Sequence, residues 1–258
     1  MATLLLDIGN TRLKWAMLEN GRLGPQSALG HAGWDRNDVT RLLRQIAQPR
    51  RVVIANVGGA AVGELLRESV QAEWGLPVKF VASTAAAGGV RNAYKEPAQL
   101  GVDRWLAMIG VRSVEAAPAC VVSVGTAATV DALDGSGQHL GGVIVPGPDL
   151  MESSLWRNTG EIALRARQGS LREGIFADNT LGAVRQGAVH ALAALVQRSI
   201  DVLETHVGKS PLLFLTGGAS QRLEGLIEYP CRIVEDLVLR GLAVVESATS
   251  ADCESPAD

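Results

Sequence analysis

Residues 4–14 read LLLDIGNTRLK, and this stretch decides how the rest of the chain is interpreted. A short apolar strand ends at Asp7, a Gly-Asn-Thr turn follows, and a second strand carries Arg12 and Lys14. Such a turn can present backbone N–H groups, a hydroxyl and a cation to a phosphate. The carboxylate beside it suits a hydrated Mg²⁺, which favours a few carboxylates together with phosphates. Taken by itself, the pattern fits an ordinary hairpin equally well, with Asp and Asn serving only the turn.

Two later segments also place a glycine turn directly after an apolar strand. Residues 118–131 read PACVVSVGTAATVD, and residues 212–220 read LLFLTGGAS. Gly217 and Gly218, in the last of these segments, would let the backbone approach a flat ligand such as adenine closely. The recurrence predicts a duplicated architecture whose turns hold the phosphates of one nucleotide from two sides. Chance recurrence of a common hairpin, and a plain strand-to-helix turn in the third segment, are the alternatives.

Composition narrows the class of protein. The 258 residues are 47% hydrophobic with a formal net charge of −3, which fits a globular chain and argues against nucleic acid as a main partner. No apolar stretch reaches the ~18 residues of a membrane span, and the first residues do not have the pattern of a signal peptide. We therefore expect a cytoplasmic protein with no membrane partner. The three cysteines and four histidines show no spacing typical of a metal site or a disulfide.

The order of predicted elements indicates two halves of similar size, each β-β-β-α-β-α. We expect a helix over residues 36–48 and another that opens at Pro97 and runs to about residue 115. The predicted domains are residues 1–117 and 118–246, followed by a disordered tail over 247–258. Two such α/β halves predict a ligand cleft between them.

These motifs, in this order, resemble the type III pantothenate kinases of the actin/sugar-kinase/Hsp70 superfamily. The resemblance runs from about residue 4 to residue 242 and rests on residues 7–14, 100–105, 125–131, 141–147, 179–180 and 216–218. It implies an α/β fold of two RNase H-like (actin-like ATPase) domains with mixed sheets and a nucleotide cleft between them. It also implies a homodimer that uses ATP to phosphorylate pantothenate to 4'-phosphopantothenate, the first step of coenzyme A biosynthesis.

The resemblance assigns roles to individual residues. Asp103 is implied as the catalytic proton acceptor, and Asp7 as the residue that holds Mg²⁺, or another divalent cation, through water. The implied ATP and phosphate contacts are Asp7, Ile8, Gly9, Asn10, Thr11, Arg12, Leu13, Lys14, Gly125, Thr126, Gly217 and Gly218. The implied pantothenate contacts are Tyr94, Gly101, Val102, Asp103, Arg104 and Thr180.

General chemistry agrees with the role given to Asp103. A carboxylate of pKa ~4 cannot deprotonate a free alcohol in advance, but it can orient the hydroxyl and accept its proton as the bond to phosphorus forms. The alternative interpretation is that Asp103 only forms a local pair with Arg104 or caps a turn.

Ser123 departs from the family pattern. Relatives usually have an acidic residue there, which helps to bind a monovalent cation such as K⁺ or NH₄⁺. A hydroxyl is a weaker cation ligand than a carboxylate, so the sequence leaves a K⁺ requirement in doubt.

Two other functions compete with this interpretation. Another kinase or phosphohydrolase of the superfamily would share the phosphate turns, and residues 100–105, LGVDRW, are the segment that discriminates against it. A non-catalytic regulatory accessory protein could keep the fold without the reaction. Retention of Asp7, Lys14 and Asp103 argues against that second alternative.

Overall fold

The computed structural model describes residues 2–165 and 174–254, and within 249–254 the description covers the backbone only. The chain divides into two units. The first comprises Met1–Ala116 together with Asp236–Asp258, and the second comprises Ala117–Glu235. In the described ranges, none of the helices is long and apolar enough to cross a membrane.

The first unit is built on a mixed sheet. Its strands are β1 (Ala2–Ile8), β2 (Arg12–Glu19), β3 (Arg22–Leu23), β4 (Ser27–Gly30), β5 (Arg51–Asn56), β6 (Val78–Phe80), and the short hairpin of β7 (Ala86–Ala87) and β8 (Val90–Arg91). Its helices are α1 (Arg36–Leu43), α2 (Ala60–Trp74), α3 (Val102–Val114) and α7 (Leu237–Glu254). The main sheet has the order β3-β2-β1-β5-β6, and β4 also pairs with β2.

The second unit repeats this plan. Its strands are β9 (Ala119–Val124), β10 (Ala127–Leu133), β11 (His139–Pro146), β12 (Leu212–Thr216) and β13 (Cys231–Ile233), and its helices are α4 (Pro148–Asn158), α5 (Gly160–Arg165) and α6 (Thr180–Val207). The sheet order is β11-β10-β9-β12-β13, again with an antiparallel hairpin beside parallel strands. The α/β fold with mixed sheets and the duplicated strand order are therefore confirmed.

Alternating side chains of the sheets build the cores. In β1, Leu4, Leu6 and Ile8 belong to one cluster with residues of α1 and α2. Successive side chains of a strand point to opposite faces, so Leu5 and Asp7 lie on the other face. The side chain of Asp7 is therefore outside this apolar cluster, at the end of β1.

The helix predicted from Pro97 starts later than expected. Pro97–Gln99 form a 3₁₀ turn, and α3 begins only at Val102. The backbone is extended at Leu100 and Gly101 (ψ 128° and 130°), which interrupts the helical hydrogen bonds. Asp103 consequently lies in the first turn of α3.

The C-terminal helix also differs from the prediction, because α7 belongs to the first unit and not to the second. It packs closely against α3 at two glycines. A Cβ at Gly110 would lie 2.3 Å from the Leu237 carbonyl oxygen, and one at Gly241 would lie 2.0 Å from that of Leu106. Only backbones without side chains can approach so closely.

The ends of two helices differ as well. α7 continues to Glu254, through most of the segment expected to be a disordered tail, and residues 255–258 lie outside the described residues. α1 ends at Leu43 rather than near residue 48, because the N–H groups of Gln45 and Ile46 bond to carbonyls three residues back instead of four, which closes a tight turn.

Candidate active site

Asp7 and Lys14 face each other across the first hairpin. Asp7 is the penultimate residue of β1, and it pairs in register with Lys14 on β2 and with Ala55 on β5. Paired residues of neighbouring strands project to the same face of a sheet. The sheet therefore brings a carboxylate and an ammonium group together beside the predicted phosphate turn.

Asp7 is only 7% exposed, and burial dominates its chemistry. Loss of solvation raises the pKa of Asp7 to about 7, the positive charge of Lys14 opposes this rise, and the carboxylate of Asp103 adds to it. Asp103, distant from Asp7 in the sequence, is thus one of the charges that act on this carboxylate. A bound cation would favour the ionised form of Asp7.

The turn after β1 is closed by backbone hydrogen bonds. The Gly9 N–H donates to the Arg12 carbonyl (3.0 Å), and the N–H groups of Val57 and Gly58 both donate to the Ile8 carbonyl (2.9 and 3.0 Å). A Cβ at Gly58 would lie 2.6 Å from the Gly9 oxygen, so the end of β5 can meet the turn only through a glycine. Gly58 is not among the site residues predicted from the sequence. The Gly-Gly pair at 58–59, directly after a buried strand, was the available signal.

Asp103 occupies the N-terminal turn of α3, where a negative side chain interacts favourably with the helix dipole. The backbone N–H of Arg104 donates to Asp103 Oδ1 (2.8 Å). This contact is local, between neighbouring residues of the first turn. The same placement sets its carboxylate within electrostatic range of Asp7.

Tyr94 and Arg104 form a second cluster close in sequence to Asp103. Arg104 is 5% exposed, its Nη1 donates to the Tyr94 hydroxyl (3.0 Å), and its guanidinium carbon lies 5.9 Å from the centre of the Tyr94 ring. The Tyr94 N–H donates to Asn92 Oδ1 (3.0 Å), which fixes the start of this loop. Val102, another predicted substrate contact, is buried.

The predicted turns of the second unit meet at one end of its sheet. The Gly147 N–H donates to the Thr126 carbonyl (2.8 Å), and a Cβ at Gly147 would lie 2.0 Å from the Gly125 oxygen. Gly217 has φ +93°, and a Cβ there would lie 2.3 Å from the Val124 oxygen. The structure therefore brings Gly125, Thr126 and Gly217 together through glycine backbones, while Gly218 is exposed beside them.

Thr180 is the first residue of α6, where Asn179 caps the helix by accepting a hydrogen bond from the Gly182 N–H (2.9 Å). It lines a cavity of about 660 Å³ whose other walls include Met151 and Leu155 of α4. This cavity is largely apolar and belongs to the second unit.

Ser123 has hydroxyl neighbours in the sheet. It pairs in register with Thr129 on β10 and with Thr216 on β12, so three hydroxyl side chains lie in a row on one face. The residues directly opposite Ser123 provide no carboxylate in place of the one that the family pattern has at this position.

The residues of the first unit suit a divalent cation shared with phosphates. In the part of the chain that the structure describes, no group of three or more His, Cys, Asp or Glu side chains could enclose a metal ion. Mg²⁺ is usually held by one or two carboxylates and the phosphates of the substrate, and Asp7 with Asp103 nearby meets that requirement. Such an ion neutralises charge on the transferred phosphoryl group.

Comparisons with known proteins agree with this geometry. The family model of type III pantothenate kinases matches residues 3–202. A type III pantothenate kinase of Azoarcus sp. strain BH72 is 40% identical over 255 residues, covering 98% of this chain and 94% of the relative. One of Nitrosospira multiformis is 38% identical over 247 residues, covering 96% and 92%.

A solved structure supports the fold. The activator of 2-hydroxyisocaproyl-CoA dehydratase from Clostridium difficile, with bound ADPNP, superposes with a TM-score of 0.54 at 16% identity, covering 100% of this chain and 99% of that one. The actin-like ATPase fold inferred from the motifs is thereby confirmed. Together with the family match over most of its length, these findings show that the chain belongs to the type III pantothenate kinase family.

Proposed function

We propose that this protein transfers the terminal phosphoryl group of ATP to the primary hydroxyl of pantothenate, giving 4'-phosphopantothenate in the first step of coenzyme A biosynthesis. The observation that carries the proposal is the placement of Asp7 opposite Lys14 at the end of β1, with Asp103 in the first turn of α3 among the charges that act on Asp7. It puts a carboxylate suited to accept a proton near the carboxylate beside the phosphate turn. Family membership supplies the identity of the substrate.

The proposed mechanism needs positioning and charge neutralisation more than covalent chemistry. Lys14 lies opposite Asp7 and supplies a positive charge for the phosphate oxygens. Asp7 would hold the divalent cation, which we take to be Mg²⁺. Asp103 would orient the pantothenate hydroxyl and accept its proton as the new bond to phosphorus forms, a contribution of about 10²–10⁴-fold.

Pantothenate recognition is assigned to the cluster around α3. The guanidinium of Arg104 is a fixed donor array that suits a carboxylate or carbonyl oxygen, and the Tyr94 hydroxyl holds it in place. Gly101 leaves the space beside the Asp103 carboxylate open, because a Cβ there would lie 2.8 Å from Asp103 Oδ1. Thr180 is proposed as an additional contact because its position matches the motif.

We also propose that the protein acts as a homodimer. The support is a set of exposed apolar side chains in the second unit, on β11, α4 and α5: Leu140, Val143, Ile144, Leu150, Leu155 and Leu164. Exposed apolar side chains that form a contiguous surface typically mark protein–protein contacts. A cytoplasmic location remains a prediction, as does any dependence on K⁺ or NH₄⁺.

The test is ATP consumption by the purified protein with and without pantothenate, together with mass-spectrometric detection of the phosphorylated product. Pantothenate-dependent ADP release with formation of that product supports the proposal. ATP hydrolysis that ignores pantothenate would favour another phosphotransferase or phosphohydrolase, and the absence of any turnover would favour the regulatory alternative.

A further inference from the structure

His31 contacts both sides of the phosphate turn. Its ring Nε2 lies 2.7 Å from the Gly9 carbonyl oxygen, and its backbone N–H donates to the Thr11 carbonyl (3.2 Å). A carbonyl oxygen can only accept, so Nε2 must carry the hydrogen. One residue thus holds the carbonyls on either side of Asn10.

These two hydrogen bonds fix the direction of backbone donors in the turn. In a trans peptide the C=O and the following N–H point in opposite directions, and the described chain contains no cis peptide. With the Gly9 carbonyl directed at His31, the N–H of Asn10 points away from it. In the same way, the Thr11 carbonyl points toward the backbone of His31, so the N–H of Arg12 points away from it.

The imidazole is itself held in place. His31 follows β4, which pairs with β2 next to the turn, and it is only 9% exposed. Its ring meets Trp34 edge-on, with centroids 6.3 Å apart and planes at 72°, and the Trp34 N–H donates to the His31 carbonyl (3.2 Å). The ring therefore has little freedom to leave the Gly9 oxygen.

We propose that His31 is a positioning residue for ATP: it orients the peptide N–H groups of Asn10 and Arg12 toward the nucleotide phosphates without touching the nucleotide. The proposal rests on the proposed function only in taking ATP as the ligand. Loss of the Nε2–H would leave the half-buried Gly9 carbonyl without this donor and free the peptide to rotate, so nucleotide binding should weaken while pantothenate binding should not.

The variants separate the hydrogen bond from the volume of the ring. His31→Leu removes the donor, and His31→Gln replaces it with an amide N–H of similar reach. His31→Asn, whose amide is too short to reach the Gly9 oxygen, serves in place of His31→Leu if the latter does not fold. His190→Leu is the matched control, because its Nε2 is also buried but has no hydrogen-bond partner in the described ranges.

The readouts are the calorimetric Kd for MgATP, the separate KM values for ATP and pantothenate, and Tm. We expect His31→Leu to weaken MgATP binding about tenfold, equivalent to about 1.4 kcal/mol. His31→Gln should stay within about threefold of the natural protein, and the pantothenate KM should change less than about twofold. His190→Leu should bind MgATP normally.

Three results would overturn the proposal: normal MgATP binding by His31→Leu, equal losses in His31→Gln and His31→Leu at native Tm, or an equal loss in His190→Leu. Failure of the natural protein to phosphorylate pantothenate would instead refute the proposed function. The calorimetric MgATP measurement would still decide the role of His31.

Discussion

Asp7 and Lys14 are direct partners in the register of β1 and β2, and the carboxylate of this pair is nearly inaccessible to solvent. Burial outweighs the nearby ammonium charge and raises the pKa of Asp7 to about 7. The protein thus places an ionisable group of near-neutral pKa beside its phosphate turn. In the free protein this arrangement disfavours the ionised form of Asp7. A bound cation would stabilise that form.

The raised pKa of Asp7 predicts a pH-dependent stability of the metal-free protein. The folded state binds this proton more tightly than the unfolded state, so the contribution is full below pH about 4 and is lost as the pH rises to about 7. Asp7→Asn, which mimics the protonated acid, should become more stable than the natural protein as the pH rises from 5 to 8. The scale is about 1.4 kcal/mol for each unit of pKa shift.

Urea unfolding in EDTA at several pH values measures this difference. Asp201→Asn, an exposed substitution on α6, is the control and should show no such trend. A constant difference between Asp7→Asn and the natural protein across this pH range would contradict the prediction.

Asp7→Ala should weaken the use of MgATP far more than the binding of pantothenate, because the carboxylate lies beside the phosphate turn and not in the Tyr94–Arg104 cluster. Separate calorimetric titrations with each ligand measure the effect. Loss of pantothenate binding with an unchanged MgATP response would show that the assignment of Asp7 is wrong.

Asp103→Asn should lower kcat by about 10²–10⁴-fold, the usual contribution of a general base. The amide keeps the shape of the side chain but cannot accept the proton. Tm should hardly change, because an amide oxygen can still accept the Arg104 N–H hydrogen bond. A near-normal kcat in the folded variant would falsify the proton-acceptor role.

Because Ser123 carries a hydroxyl where relatives usually have a carboxylate, we expect the activity to depend only weakly on K⁺. Its neighbours in register are the hydroxyls of Thr129 and Thr216, and charge count tunes the affinity of oxygen ligands for cations. Ser123→Asp should therefore introduce or sharpen activation by K⁺. Initial rates against KCl, with NaCl keeping the ionic strength constant, test both proteins.

Strong saturable activation of the natural protein, with no gain in Ser123→Asp, would mean that other groups bind the ion. In that case Ser123 would not be a lost cation ligand, and the kinase assignment would be unaffected.

The exposed apolar side chains of β11, α4 and α5 predict a homodimer through the second unit. Ile144 is 61% exposed, and Ile144→Asp should shift the light-scattering mass toward that of a monomer and lower activity in parallel. Val202→Asp is the matched control, since Val202 is a 51% exposed aliphatic residue on α6, which is not one of the elements that carry the proposed contact. A fully active monomer of the natural protein would refute the prediction.

Local patterns in the sequence determined much of the fold. The apolar run before Asp7 and the Gly-Asn-Thr turn predict the β1–β2 hairpin, and the observed strands end within a residue of that prediction. The same pattern, an apolar strand followed by a glycine turn, recurs at Gly125 and Gly217 and predicts the duplicated sheet. Strands and tight turns depend on neighbouring residues, so their signals are readable from one short segment.

Only the tertiary structure decided which distant residues meet. It put Asp103 within electrostatic range of Asp7, brought Gly58 against Gly9, and set His31 on the carbonyl of that same turn. It also attached α7 to the first unit through Gly110 and Gly241, although the chain reaches that helix only after the second unit. Such contacts depend on packing between elements far apart in the chain, and no local periodicity encodes them.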